Sequence, residues 1–249
     1  MHTSNRPSFL GDILSHLAEA AFACLTPPRC RACHAALFGR KNPFLCRSCA
    51  ESVFWIGPGA CRGCGFPSGP HAIHGRDCFR CGGNRLNLTG AISVARYRGG
   101  ARGLVLSFKF GGETELAAPL AGLMAERLRH AEFAGSFDLI LPVALHPARR
   151  RLRGFDQAQL LAENIARSCG VPTADGVLRR TQHTRPQATL RREARLENMA
   201  GAFAVDGGLE GKRVLLVDDV MTTGATMAEC ARACREAGAR RVYALTFAR

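Results

Sequence analysis

The chain has 249 residues, 47% hydrophobic and 22% charged, with 34 Lys and Arg against 20 Asp and Glu for a formal net charge of +14. That composition is globular and permits a sizeable core in one large domain or two small ones, while no window approaches the roughly 18 consecutive apolar residues of a membrane span. The positive excess suits phosphate-rich partners such as sugar phosphates, nucleic acid or an anionic membrane surface. An arginine-biased proteome is the plainer reading, since lysine occurs only at Lys41, Lys109 and Lys212.

At the amino end, Leu10, Ile13, Leu14, Leu17 and Ala21 recur at helical spacing, interrupted by Asp12, His16 and Glu19. This pattern predicts an amphipathic helix within residues 1–26, not the apolar core of a signal peptide. Packing on its own protein is the simpler role. A membrane-surface role is weakened by the absence of Lys and Arg from the polar face. Without an export signal a cytoplasmic location is expected, where cysteines stay reduced and serve as metal ligands more often than as disulfides.

Residues 27–84 hold four C-x-x-C pairs: Cys30/Cys33, Cys46/Cys49, Cys61/Cys64 and Cys78/Cys81. The two-residue gap lets both thiolates of a knuckle reach one ion, and two knuckles complete a tetrahedral shell. Two structural Zn²⁺ sites follow, one per consecutive quartet, with a cross-braced pairing of alternate knuckles as the second topology. Cys30, Cys33 and His34 also fit a haem-attachment pattern, which would leave the downstream pairs unexplained; a redox dithiol suits a single pair better than four. His34, His71 and His74 read as solvated loop residues. With few large apolar residues, this region is expected to depend on metal for its fold. Cys24, Cys169, Cys230 and Cys234 stand singly on helical stretches, as small buried hydrophobes do.

From residue 85 to 249 strands alternate with helices, predicting an α/β domain with a mostly parallel sheet. Ala91 to Tyr97 alternates like a strand, Leu116 to Phe133 has helical spacing, and Asp138 to Val143 reads as a buried strand. Asp156 can cap a helix from Gln157 to Cys169 that Gly170 ends. Val214 to Val217 then reads as a strand buried on both faces, followed by Asp218 and Asp219, the small-residue run Val220, Met221, Thr222, Thr223, Gly224, Ala225, Thr226, and a helix from Met227 to Ala237. A last strand spans Val242 to Phe247. An acidic pair at a strand end and a turn onto a helix N-terminus make a site for a phosphorylated sugar: helix amides for phosphate, carboxylates for ribose hydroxyls or hydrated Mg²⁺. The plainer reading is a buried strand and a capped helix with surface acids.

Two basic stretches suit the same ligand. Arg149, Arg150, Arg151 and Arg153 follow the second predicted strand, and Arg179 to Arg195 carries six arginines in a predicted loop or lid. Solvated surface is the usual fate of such runs. Lys109, between Phe108 and Phe110, sits in an apolar setting from which most lysines snorkel to solvent.

Val214 to Thr226 looks like the phosphoribosyl-pyrophosphate (PRPP) motif of type I phosphoribosyltransferases. Together with the cysteines, Tyr97 to Gly100, Phe108 to Phe110, Leu141 to His146, Arg149, Arg153 to Gln157, Gln187, Leu190, Arg195, Asn198 and Phe203, it makes the chain resemble the ComF family. The resemblance implies a type I phosphoribosyltransferase-like α/β fold preceded by a double zinc ribbon. It implies that Asp218 and Asp219 hold ribose hydroxyls and that the loop from Val220 to Thr226 takes the ribose phosphate. Lys109, Arg149 and Arg153 would help Mg²⁺ neutralise the pyrophosphate. It further implies a place in natural competence, handling incoming single-stranded DNA with membrane-associated DNA-uptake proteins, from the cytoplasm or the inner face of the membrane. The alternative is an active PRPP-dependent nucleobase phosphoribosyltransferase of salvage metabolism; the sequence identifies no acceptor, no general base and no oligomeric state. Ala144 and Asp156 depart from the proline and asparagine that the family often has there.

Overall fold

The computed structural model describes residues 27–37, 43–67, 78, 81, 86–181 and 201–249. The helix expected within residues 1–26, His71, His74 and residues 182–195 of the second basic stretch lie outside them. The described elements run α1 (Arg47–Glu51), β1 (Gly90–Ala95), α2 (Gly99–Phe110), a single 3₁₀ turn (Thr114–Leu116), α3 (Ala117–Arg129), β2 (Leu139–Pro142), α4 (Pro147–Arg153) and α5 (Gln157–Cys169). They continue with β3 (Leu178–Arg180), β4 (Phe203–Val205), β5 (Arg213–Val220), α6 (Ala225–Glu236) and β6 (Arg241–Ala248).

Val214, Leu215, Leu216 and Val217 are fully buried, and β5 lies inside a parallel sheet of order β1-β6-β5-β2. Alternate residues serve opposite faces. Leu215 and Val217 join Tyr243, Leu245 and Phe247 under α2, α3 and α5, while Val214 and Leu216 join Val242 and Ala244 under α6. With both faces covered, the strands need apolar residues at every position. That corrects the alternation read for β1: all six of its residues are buried, and it stops at Ala95, two residues short of Tyr97. The Gln157–Cys169 helix has the predicted ends, with Asp156 at its N-cap and Gly170 left-handed at its C-cap. No helix among the described residues is long and apolar enough to cross a membrane.

The two cysteine quartets pack on opposite faces of this sheet. Cys30, Leu37, Leu45 and Val53 belong to the core beneath α2, whereas Cys61, Cys64, Cys81, Leu86 and Leu88 belong to the core beneath α6. The chain passes between them along the edge of β1. Arg96 donates its amide to Phe54 O and Ile56 its amide to Val94 O, both at 2.8 Å. This crossing occupies a sheet edge that would otherwise be open to another strand.

Helix α2 was not legible in the sequence, because Gly99, Gly100 and Gly103 depress helix propensity over its first turns. The structure shows why they are there. A Cβ at Gly100 would stand 2.2 Å from Cys49 O, and one at Gly103 2.2 Å from Ala32 Cβ, so the bare face of α2 seats the backbone of the first cysteine quartet. Gly100 also donates its amide to Ser52 Oγ at 2.8 Å. At the far end of α2, Arg31 of the first knuckle pairs with Glu113 at 2.6 Å and Glu115 at 2.5 Å.

This contact inverts the ordinary effect of a helical glycine. Gly100→Ala should lower the melting temperature by several degrees, whereas Gly122→Ala, on an open face of α3 with nothing within 4 Å, should raise it by a degree or more. Paired thermal melts of the two variants check the sign.

Candidate functional site

Two clusters and one cleft carry the chemistry. In each quartet all four sulfurs lie within 4.8 Å of one another: Cys30, Cys33, Cys46 and Cys49 in one, Cys61, Cys64, Cys78 and Cys81 in the other. The pairing is therefore consecutive, not cross-braced. Cys33 and Cys46 Sγ are 3.7 Å apart, Cys61 and Cys81 3.8 Å, and Cys64 and Cys78 3.9 Å. A tetrahedron with ~2.3 Å metal–sulfur bonds has edges of roughly 3.8 Å, so the donor set fits zinc and is too open for disulfides. In the second quartet burial and crowding also oppose ionisation of the thiols. Burial, then the neighbouring Cys61, pushes the Cys81 thiol up to about 11. A bound dication would resolve that conflict. His34 is exposed and outside the first cluster, while both Cys30 and Cys33 are inside it, which leaves no thiol of that pair for haem.

The cleft opens at the carboxyl ends of β2 and β5, where open parallel sheets place ligands. Its walls are Lys109 from the end of α2, Val143 to Leu145 after β2, Arg149 and Arg153 from α4, Asp156 to Ala158 at the start of α5, Arg180 from β3, and Asp218 to Val220 with Thr226. Lys109 does not snorkel outward. Its Nζ lies 2.8 Å from Asp219 Oδ1, and the Asp219 side chain is only 5% exposed. Burial works against the Lys109 ammonium, but the Asp219 and Asp218 carboxylates outweigh it and hold its pKa above the usual value. The opposite holds for Asp218. Dense surrounding protein, and then the Asp219 carboxylate beside it, push its carboxyl well above the ordinary range, although solvent still reaches it from the cleft.

Arg149 and Arg153 reach the cleft from a helix. Pro147 begins α4, His146 Nδ1 accepts from the Ala148 amide at 3.2 Å, and Gly154 ends it in a left-handed conformation. Arg153 is held by Gln157 Oε1 at 2.8 Å and lies 4.9 Å over the Phe110 ring. Asp156 is occupied by its neighbours' amides, accepting from Gln159 at 3.2 Å and Leu145 at 3.3 Å, so it caps α5 and fixes the turn after β2. Arg180 stands in the cleft although the sequence marked it only as part of a basic stretch. The signal that could have found it is its position at the end of β3, paired across to Phe203 of β4.

Beside the cleft, Asp218, Val220, Met221, Thr222, Gly224, Ala225, Thr226 and Met227 bound a small hollow of about 30 Å³ at the N-terminus of α6. Gly224 is required there: its φ is +87°, and a Cβ would stand 2.8 Å from Leu86 Cδ2. Thr223 Oγ1 accepts from the Ala225 amide at 3.4 Å. A helix N-terminus carries a positive dipole end that is suited to phosphate oxygens. Lys109, Arg149, Arg153 and Arg180 face Asp156, Asp218 and Asp219, leaving an excess of positive charge for an anion. The two carboxylates on the cleft floor fit Mg²⁺, which is commonly held by one or two carboxylates and completed by substrate phosphates.

A parallel sheet with this acidic pair, this loop and this cationic wall defines a phosphoribosyltransferase-like protein. Residues 114–249 match the phosphoribosyl transferase domain family. Competence protein F of Haemophilus influenzae is 29% identical over 227 residues, covering 89% of this chain and 96% of that protein. DNA utilization protein YhgH of Salmonella typhi is 31% identical over 201 residues, 80% of this chain and 87% of its own. Competence protein ComFC of Bacillus subtilis is 27% identical over 200 residues, 78% and 79% respectively. A solved purine phosphoribosyltransferase from Pyrococcus horikoshii aligns at 20% identity over 51% of this chain and 67% of its own, with a TM-score of 0.32, too loose a likeness to bear on fold or function. The chain belongs to the ComF family, a double zinc ribbon joined to a phosphoribosyltransferase domain.

Two outcomes follow. Metal analysis should find two zinc ions per chain, falling to one when Cys33 and Cys46 are both replaced by Ser. Asp218→Asn should raise the melting temperature of the ligand-free protein at neutral pH. A carboxyl whose folded pKa is raised above the unfolded ~3.9 loses stability as pH climbs from there to the folded value, so the two proteins should converge near pH 4 and separate above it.

Proposed function

We propose that the cleft binds PRPP, or a related sugar phosphate, with Mg²⁺. The observation that carries this reading is the Lys109–Asp219 pair beside Asp218, ringed by Arg149, Arg153 and Arg180 at the mouth of the Gly224 hollow. Such a wall suits a pyrophosphate, the acidic floor suits ribose hydroxyls, and the helix N-terminus suits the ribose phosphate. When bound, Mg²⁺ would supply charge neutralisation on the pyrophosphate. The chain's own residues do the rest. Gly224 brings backbone close to the phosphate, Arg153 is pre-oriented by Gln157 and Phe110, and Lys109 can exchange Asp219 for an anionic oxygen.

We assign this binding to DNA uptake, with the protein in the cytoplasm or at the inner face of the membrane, handling incoming single-stranded DNA beside membrane-associated uptake proteins; relatives named for competence and for DNA utilization support this reading. A second reading, turnover of PRPP onto a nucleobase, is favoured by one observation. Burial, and then the Asp219 carboxylate, make Asp218 hold its proton more readily than an ordinary carboxyl, a property that proton-transfer chemistry uses. Pyrophosphate release across a nucleobase panel separates the two readings.

Calorimetric titration with PRPP and Mg²⁺ should show saturable binding, weakened tenfold or more, about 1.4 kcal/mol, in Lys109→Ala and in the double variant Asp218→Asn/Asp219→Asn. Equal affinity in all three proteins contradicts the assignment.

A further inference from the structure

The crossing between the two cysteine quartets carries a feature that the sugar-phosphate cleft does not use. Phe54 and Trp55 are 46% and 56% exposed, among the few large apolar side chains left in solvent. They are held by backbone, not by packing: Trp55 bridges antiparallel to Ala95, and Arg96 donates its amide to Phe54 O. The exposed side chains are therefore presented from a rigid sheet edge. Around them lies a shallow concavity of about 380 Å³, lined also by Ile56, Gly57, Gly59, Ala60, Pro67, Arg96 and Arg98.

Its charge is of one sign. Arg98 places its guanidinium 3.3 Å over the Phe54 ring, Arg96 and Arg98 are both exposed, and Arg102 stands one turn along α2. None of the three is paired with a carboxylate among the described residues. An apolar protein partner would meet desolvated arginines here, and an acidic one would leave the indole without a matching surface. The exposed Trp55 indole, and a Phe54 ring covered on one face by Arg98, beside guanidinium groups with no carboxylate partner among the described residues, match unstacked bases on a phosphate backbone.

We propose that Phe54 and Trp55, with Arg96 and Arg98, form a stacking platform for single-stranded nucleic acid without base specificity. This rests on the DNA-handling reading above and adds a location to it. The platform stands at the start of α2, and Lys109 of the sugar-phosphate cleft stands near its end, roughly 15 Å away at 1.5 Å per residue. The two surfaces therefore share one helix but no residue.

Trp55 is the sole tryptophan of the chain, so its fluorescence reports on this surface alone. Titration of the full-length, zinc-loaded protein with oligo-dT should quench it. A labelled strand followed by anisotropy should bind Trp55→Ala roughly 5- to 100-fold more weakly than wild type, the usual worth of one stacked base. Arg98→Ala should flatten the salt dependence of log K by about one unit. Oligo-U should behave like oligo-dT if the platform reads only bases and charge, and a duplex of equal length, with no base face to offer, should leave the fluorescence unchanged. PRPP binding serves as the folding control and should be unaltered in both variants. If wild type binds single strands and Trp55→Ala binds them equally well, this placement is wrong while the DNA-handling reading stands. If wild type binds none, both fall.

Discussion

The contact on which the rest depends is the ion pair between Lys109 and Asp219. A lysine in an apolar stretch is held inward because its helix cannot turn away, and that helix is fixed by the first cysteine quartet and its neighbours. Gly100 and Gly103 press α2 against Cys49 and Ala32, Ser52 accepts its first amide, and Arg31 grips Glu113 and Glu115 beyond its last turn. Every one of these partners belongs to the first cysteine quartet or adjoins it. The quartet thus positions a cleft residue it does not touch.

The second quartet is anchored differently. It packs beneath α6 on the opposite face, where Leu86 limits the space beside Gly224 and Gly65 lies close against β1, a Cβ there standing 3.0 Å from Ser93 Oγ. The ribbons therefore straddle the edge of the sheet, one behind the wall that carries Lys109 and the other behind the phosphate loop. Between them the cleft stores unfavourable electrostatics. Asp218 stands beside Asp219 in a place where burial disfavours its charge.

Much of this was legible because it depends on local chemistry. The cysteine spacing gave both metal quartets, the run from Val214 to Val217 gave the central strand, and Asp156 and Gly170 gave both ends of a helix. The acidic pair and Gly224 marked the site for the same reason: a strand end, a left-handed turn and a helix N-terminus are all written within a few adjacent residues. What stayed hidden depends on contacts distant in sequence. Helix α2 carries no clear sequence signal, because its glycines admit the backbone of Cys49, some 50 positions away. Lys109 looked solvent-bound until the fold brought Asp219 to it. β1 seemed half-exposed because nothing local says that ribbons and helices cover both its faces. The choice between consecutive and cross-braced metal pairing was likewise decided by where the knuckles dock, not by their spacing.

The central claim is that a cleft shaped by the first zinc ribbon takes a phosphoribosyl ligand through Lys109 and the acidic pair. A crystal structure of the zinc-loaded protein with PRPP and Mg²⁺ tests it most directly. The account predicts pyrophosphate density among Lys109, Arg149, Arg153 and Arg180, ribose hydroxyls on Asp218 and Asp219, and the ribose phosphate over the Gly224 turn. Ligand density elsewhere on the molecule, or a filled cleft in which Lys109 takes no part, would contradict it.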